Sequence, residues 1–181
     1  MEERKKKVLK EIKQNVGVFI VSLSIALVVN KTVLARADVY QNSMESTLKE
    51  KDVLFMEKIS VHTDSLKKGQ IVVFKSPNKK DDNYVKRIIG LEGDEIKISN
   101  GKVYINGQML MEEYLDANTI TNCRSFFSEN QTYQVPKDFV FVLGDNRAVS
   151  CDSREFGPIN KKDILGHVII RVYPFNKIKG F

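Results

Sequence analysis

Four stretches of the chain hold side chains that could do chemistry together: QNSMESTL at 41–48, GQIVVF at 69–74, YVKRIIGLEGD at 84–94 and GDNRAVSCDSREFG at 144–157. They supply serines, a lysine and a dense set of Asp and Arg side chains. A serine hydroxyl attacks poorly until a base takes its proton. Neither histidine, His62 nor His167, sits in a setting that suggests a triad. A lysine can serve instead, provided it is neutral when it acts. Its pKa must then fall several units from about 10.4, and burial in apolar surroundings is what lowers it. Lys86 is flanked by Val85, Ile88 and Ile89, so an apolar site is available. Arg87 beside it cannot be tuned in this way and is a poor base. Attack on a carbonyl also needs donors for the oxyanion, and the backbone N–H of Ser43 is one. Taken singly, Ser43 reads as a solvated loop serine and Lys86 as an exposed strand lysine. Asp152 and Arg154 read as a surface ion pair worth at most about 1 kcal/mol, and Gly144-Asp145-Asn146 as a turn. Only their joint occurrence carries weight.

Short strands must position these residues. Runs rich in β-branched and aromatic residues recur at Val53–Ile59, Gln70–Lys75, Tyr84–Ile89, Glu95–Ile98, Lys102–Ile105, Val140–Leu143 and His167–Tyr173. Asn100-Gly101 and Asn106-Gly107 separate such runs, a strong hairpin signal. Glu112–Asn130 is polar and irregular, so it reads as an excursion from the sheet. Helical periodicity is scarce after the N-terminal segment, and the fold class is mainly β. The length of 181 residues fits one domain with a real core.

The net charge of +6 does not mark a nucleic-acid surface. Residues 1–37 hold eight Lys/Arg and three acids, leaving 21 basic against 20 acidic residues in 38–181. A basic flank followed by the uncharged run VGVFIVSLSIALVV at 16–29 fits a cytoplasmic tail (1–15) and a membrane anchor (16–35), with the rest of the chain outside. A cleavable secretory signal is the rival reading, because Ala35-Arg36-Ala37 follows the apolar run as an A-x-A-like site. Self-cleavage after Ala37 would combine the two. Cys123 and Cys151 are an even pair that could bridge outside the membrane. No metal-ligand spacing occurs among the Cys and His residues.

The four stretches, in this order, resemble the conserved boxes of the type I signal peptidases. The stretch 144–157 resembles that family's GDNR…S-x-DSR-x-FG signature, and 84–94 its KRIIGLPGD box, with Glu92 where proline is usual. The resemblance runs from the anchor to about Ile170, with Asn106–Pro136 the variable part. It implies a signal-peptidase-like β-sheet or barrel catalytic domain (38–181) behind one transmembrane helix. Ser43 matches the nucleophile and Lys86 the general base of a Ser–Lys dyad. Ser150 matches the serine that orients the lysine. Asp152 and Arg154 match a pair that braces the site, with Asp145 and Arg147 in the same brace. Met44 matches a residue lining the site, and Gln41 stands where the family often adds an oxyanion donor. Cys151, between Ser150 and Asp152, reads as packing near the site. The implied partners are signal-peptide-bearing precursors and the lipid bilayer, with no nucleic acid and no cofactor. The short chain and single anchor resemble the Gram-positive members.

The nucleophile box departs from the family. Gln41 replaces a small residue or serine, and Ser46 replaces a proline that would fix φ in the strand after Ser43. These departures suggest an enzyme specialised for few substrates, such as pilins or other surface proteins. Family substrates bind extended beside a strand, with small residues at the first and third positions before the cut, which is β-augmentation. Three rivals remain: a self-cleaving repressor of the DNA-damage response, a membrane-bound chaperone on a decayed peptidase fold, and a secreted β-domain binding protein.

Overall fold

The computed structural model describes residues 2–80 and 82–181, without the side chains of 3, 5, 9 and 28–32. The chain begins with helix α1 (Glu2–Thr32). Among the described residues no helix is long and apolar enough to cross a membrane. The expected anchor at 16–35 falls in part on side chains outside the described set. Its last residues belong to another element, because Leu34 and Ala35 open strand β1 (Leu34–Asp38).

Eleven further strands follow. They are β2 (Val53–Glu57), β3 (Ile71–Lys75), β4 (Asn83–Gly90), β5 (Glu95–Ser99), β6 (Lys102–Ile105) and β7 (Gln108–Met109), then β8 (Thr132–Gln134), β9 (Phe139–Leu143), β10 (Ile159–Asn160), β11 (Ile164–Tyr173) and β12 (Lys179–Gly180). Two four-residue helices, α2 (Ile59–His62) and α3 (Ser153–Phe156), interrupt them. The larger sheet runs β1-β2-β11-β3-β4-β9-β10, with β12 also on β11, and the smaller runs β7-β6-β5-β8. Every pairing is antiparallel. The mainly β expectation holds, and its arrangement as two sheets is new.

Burial explains which strands read as unbroken apolar runs. In β3, Val72 and Phe74 join one core cluster while Ile71 and Val73 join another, so IVVF is buried on both faces. In β9, Val140 and Val142 face the first cluster, and Phe141 and Leu143 a third. Strands covered on one face alternate instead: β5 and β6 bury Ile96, Ile98, Val103 and Ile105 and turn their lysines outward. Asn100-Gly101 takes φ values of 50° and 71°, and Asn106-Gly107 51° and 80°. These left-handed pairs are what two-residue hairpin turns require.

Three boundaries differ from expectation. The run Val53–Ile59 stops at Glu57, whose carboxylate accepts the Ser60 N–H at 3.0 Å and the Ser60 hydroxyl, so Ile59 opens α2. Ala35 and Ala37, the A-x-A-like residues, lie inside β1 opposite Met56 and Leu54 and pack on the core. Strands β8, β10 and β12 carry too few apolar residues to stand out in the sequence.

Candidate active site

Residues 42–48 leave the sheet in a tight turn. The N–H groups of Thr47 and Leu48 both donate to the Met44 carbonyl, at 2.8 and 2.6 Å. Met44 and Leu48 are buried and anchor the turn in the core around β2 and β3. Ser46 is thus an exposed turn residue, and no strand follows Ser43 for a proline to stiffen. From the far end of the sequence, Asn146 fastens the turn. Its N–H donates to the Ser43 carbonyl at 2.9 Å, and its side-chain amide to the Asn42 carbonyl at 3.1 Å.

Lys86 reaches the same place from β4, where it pairs across from Val72. Its amine lies 2.7 Å from the Ser43 hydroxyl and 3.1 Å from the Val85 carbonyl. It also stands 5.0 Å from the centre of the Tyr84 ring. Lys86 is only 1% exposed. Burial pulls its pKa down to about 8, against the opposing charges of Asp152, Cys151 and Asp145. Protonated, the amine donates to Ser43; neutral, its lone pair can accept the serine proton.

Ser150 is fully buried, and among the described residues its hydroxyl has no hydrogen-bond partner. The bond to Lys86 that the resemblance implies is not formed here; the amine instead meets Ser43 and the Val85 carbonyl. Gly144 separates the two serines. A Cβ there would lie 2.1 Å from the Ser150 hydroxyl oxygen and 2.5 Å from the Ser43 carbonyl oxygen. Only glycine fits at that position.

The charged residues form separate ion pairs around one loop. Asp152 and Arg154 pair through two bonds of 2.8 Å, both fully buried. Asp152 also accepts the Gly144 N–H at 3.0 Å, and Arg154 donates to the carbonyls of Asn122 and Arg147. Asp145 pairs instead with Arg87, at 3.0 and 2.6 Å, and accepts the Thr47 hydroxyl at 2.5 Å. Arg147 pairs with Glu112 and donates to the Gly144 carbonyl at 3.0 Å. Each of the three buried guanidiniums thus has a carboxylate of its own: Arg154 has Asp152, Arg87 has Asp145 and Arg147 has Glu112. Sequence reasoning missed Arg87 and Glu112 as bracing residues. Arg87 lies in a recognised box but was weighed only as a base. Glu112 sits in a polar stretch that gives no signal.

A groove of about 550 Å³ runs past Ser43, with Ala37, Val39, Gln41, Met44, Asn83 and Val85 among its lining. Gln41 is exposed there. Met44 also accepts the Asp145 N–H through its sulfur at 3.4 Å. Strand β4 pairs with β9 only from Arg87 onward, so Asn83–Lys86 have no strand on that side among the described residues. Cys123 and Cys151 are free thiols. The Asn78 amide donates to the Cys151 sulfur at 3.6 Å. His167 bonds Glu57 at 3.2 Å, and His62 is exposed on α2. Among the described residues no group of His, Cys, Asp and Glu could hold a metal ion.

A family model described as signal peptidase, peptidase S26, matches residues 12–173. The chain belongs to the signal peptidase family, peptidase S26. It is 34% identical to a signal peptidase IB of Staphylococcus aureus (strain COL), over 93% of this chain and 95% of that protein. It is 36% identical to a signal peptidase I of Bacillus amyloliquefaciens, over 88% and 87% of the two chains. A solved signal peptidase I from Enterococcus faecalis V583 is 30% identical and covers 56% of this chain and 95% of its own, with a TM-score of 0.47. The S26 match spans all four sequence stretches that first suggested the chemistry, so the expected enzyme class, a serine peptidase of the signal peptidase type, is borne out.

Proposed function

We propose that the chain is a membrane-bound endopeptidase that removes N-terminal signal peptides from exported precursors, with Ser43 as nucleophile and Lys86 as general base. The observation that carries this reading is the 2.7 Å approach of a buried amine, its pKa brought down to about 8, to the Ser43 hydroxyl. Burial does for lysine here what an imidazole does unaided near neutral pH. The neutral amine takes the serine proton as the oxygen attacks the scissile carbonyl, then returns it to the leaving amine. The Ser43 N–H and the side chain of Gln41 serve the oxyanion. Ser150 serves Lys86 once Ser43 turns to the substrate. Its hydroxyl is buried and unpartnered, and the neighbouring Cys151 and Asp152 act electrostatically on the lysine. Asp145, Arg147, Asp152 and Arg154 hold the loop that carries Asn146 and Ser150.

The substrate lies extended in the groove between β1 and the start of β4. There the free edge of Asn83–Lys86 supplies backbone partners. Met44 shapes the pocket for the small residue before the cut. The basic flank and the apolar run support a cytoplasmic tail at 1–15, a single-pass anchor at 16–35 and an extracytoplasmic domain at 38–181, as in Gram-positive members. The bulk of Gln41 beside the groove supports a narrow substrate range, such as pilins or surface proteins.

The test is cleavage in detergent of an A-x-A-containing precursor by wild type, Ser43→Ala and Lys86→Ala. Wild type cuts, and both folded variants lose activity. If wild type cuts no precursor, pilin-type ones included, the dyad assignment fails. Cutting of ordinary secretory precursors at rates equal to pilin-type ones removes the specialised range.

A further inference from the structure

The irregular excursion sends two side chains into the brace. Glu112 accepts from Arg147 at 3.0 Å and from the Tyr114 hydroxyl at 2.6 Å. The Tyr114 ring in turn lies 3.9 Å from the guanidinium carbon of Arg87. The contacts close a ring. Arg87 follows Lys86 on β4 and grips Asp145. Asp145 follows Gly144, whose carbonyl Arg147 holds. Arg147 meets Glu112, Glu112 meets Tyr114, and Tyr114 returns to Arg87. One side of the ring is the strand that carries Lys86, and the other is the loop whose Asn146 holds the Ser43 carbonyl. The Glu112 side chain is only 11% exposed, and that of Arg147 1%. The tyrosine stays a neutral donor, since burial and the Glu112 charge push its pKa up.

The geometry points to Glu112 and Tyr114 as positioning residues that fix the spacing of Lys86 and Ser43 by clamping Arg87 and Arg147 together. The clamp touches neither substrate nor reacting atoms. It acts on the 2.7 Å contact through the two arginines, and it rests on the dyad reading above. A part of the chain with no box of its own would thus belong to the catalytic apparatus.

Full-length Glu112→Gln, Tyr114→Leu and Tyr114→Phe are assayed in detergent beside wild type and Ser43→Ala. The assay runs at a temperature where thermal melts show every variant folded. Misplacing a reacting pair slows the chemical step, so Glu112→Gln and Tyr114→Leu lower kcat about tenfold to a hundredfold, with KM within about twofold. Tyr114→Phe keeps the ring over Arg87 but loses the hydroxyl bond to Glu112, so its kcat falls between those of wild type and Tyr114→Leu. Wild-type kcat in Glu112→Gln and Tyr114→Leu, or a loss confined to KM, overturns the clamp. If Ser43→Ala is inactive in that same experiment, the clamp alone falls. If Ser43→Ala cuts like wild type, the dyad reading falls first and takes the clamp with it.

Discussion

Lys86 and Arg87 are neighbours on one strand and take separate partners: the lysine meets Ser43 at 2.7 Å and the arginine grips both oxygens of Asp145. One cation is left without a carboxylate and is buried, so it yields its proton readily. The other is paired with both oxygens of a buried carboxylate. The same strand therefore carries the proposed base and a structural cation in consecutive positions.

Activity should follow the titration of Lys86. Below pH 8 the amine is mostly protonated, so kcat/KM falls about tenfold for each pH unit. A pH–rate profile on a short precursor peptide checks this. An acidic limb with its midpoint near 6, in the usual histidine range, would contradict it.

Stability should move with the same group. The folded pKa of Lys86, about 8, lies below its ordinary value of 10.5, so between those values the unfolded chain binds more protons and stability rises with pH. Below pH 8 the buried charge costs the folded state its full penalty. Lys86→Met removes that penalty. The variant is expected to be more stable than wild type at pH 7, by on the order of 1–3 kcal/mol. The gain shrinks across pH 8 to 10.5. Denaturant melts at pH 7 and pH 10 measure the difference.

Ser150→Ala separates a catalytic role from a structural one. A buried hydroxyl without a partner contributes nothing to the fold, so its removal leaves stability unchanged or raises it by about 1 kcal/mol. If the hydroxyl serves Lys86 during the reaction, kcat falls at least about tenfold all the same. Unfolding curves and single-turnover rates on one preparation report both effects.

Gly144→Ala should fold less well and cut poorly. The added methyl meets the Ser150 hydroxyl and Cβ and the Ser43 backbone carbonyl, and turning the hydroxyl away relieves only one of the three. A loss of at least about tenfold in kcat is expected, since small displacements at a reacting pair are costly. A crystal structure of the variant would show the Ser43 carbonyl moved off the Asn146 N–H.

Removing Asp152 leaves Arg154 buried without a counter-charge. Asp152→Ala is expected to cost about 3–5 kcal/mol, read from denaturant melts. Asp38→Ala, which breaks the exposed pair with Arg36, serves as the comparison and is expected to cost well under about 1 kcal/mol.

The proposed Ser43–Lys86 pair and the sheet were legible in the sequence for different reasons. Val72, Phe74, Val140 and Val142 sit in apolar runs because their strands are covered on both faces, and Asn100-Gly101 and Asn106-Gly107 announce their turns through φ. The flanking Val85, Ile88 and Ile89 made an apolar site for Lys86 available, but only its occurrence together with the other three stretches set it above an exposed strand lysine. Glu112 and Tyr114 could not be singled out, since their partners Arg147 and Arg87 come from distant parts of the chain and a carboxylate in a polar stretch has no periodicity to break. Strand β1 was hidden by its neighbours. Its residues continue the apolar segment in composition, and only pairing with β2 separates them from the helix. The unpartnered state of Ser150 is equally invisible in one dimension, because it depends on which groups the fold brings around the hydroxyl.

The helix α1 ends at Thr32 and β1 begins at Leu34, so a single residue joins the N-terminal helix to the wall of the groove. Ser43 follows after that strand and the start of a turn. Even fully stretched, the chain from Thr32 to Ser43 spans no more than about 40 Å, and the strand pairing shortens it. The helix is therefore a ruler as well as a tether. Wherever it is seated, Ser43 stays within that reach of it, and a bond presented farther away lies beyond the Ser43 hydroxyl whatever its sequence.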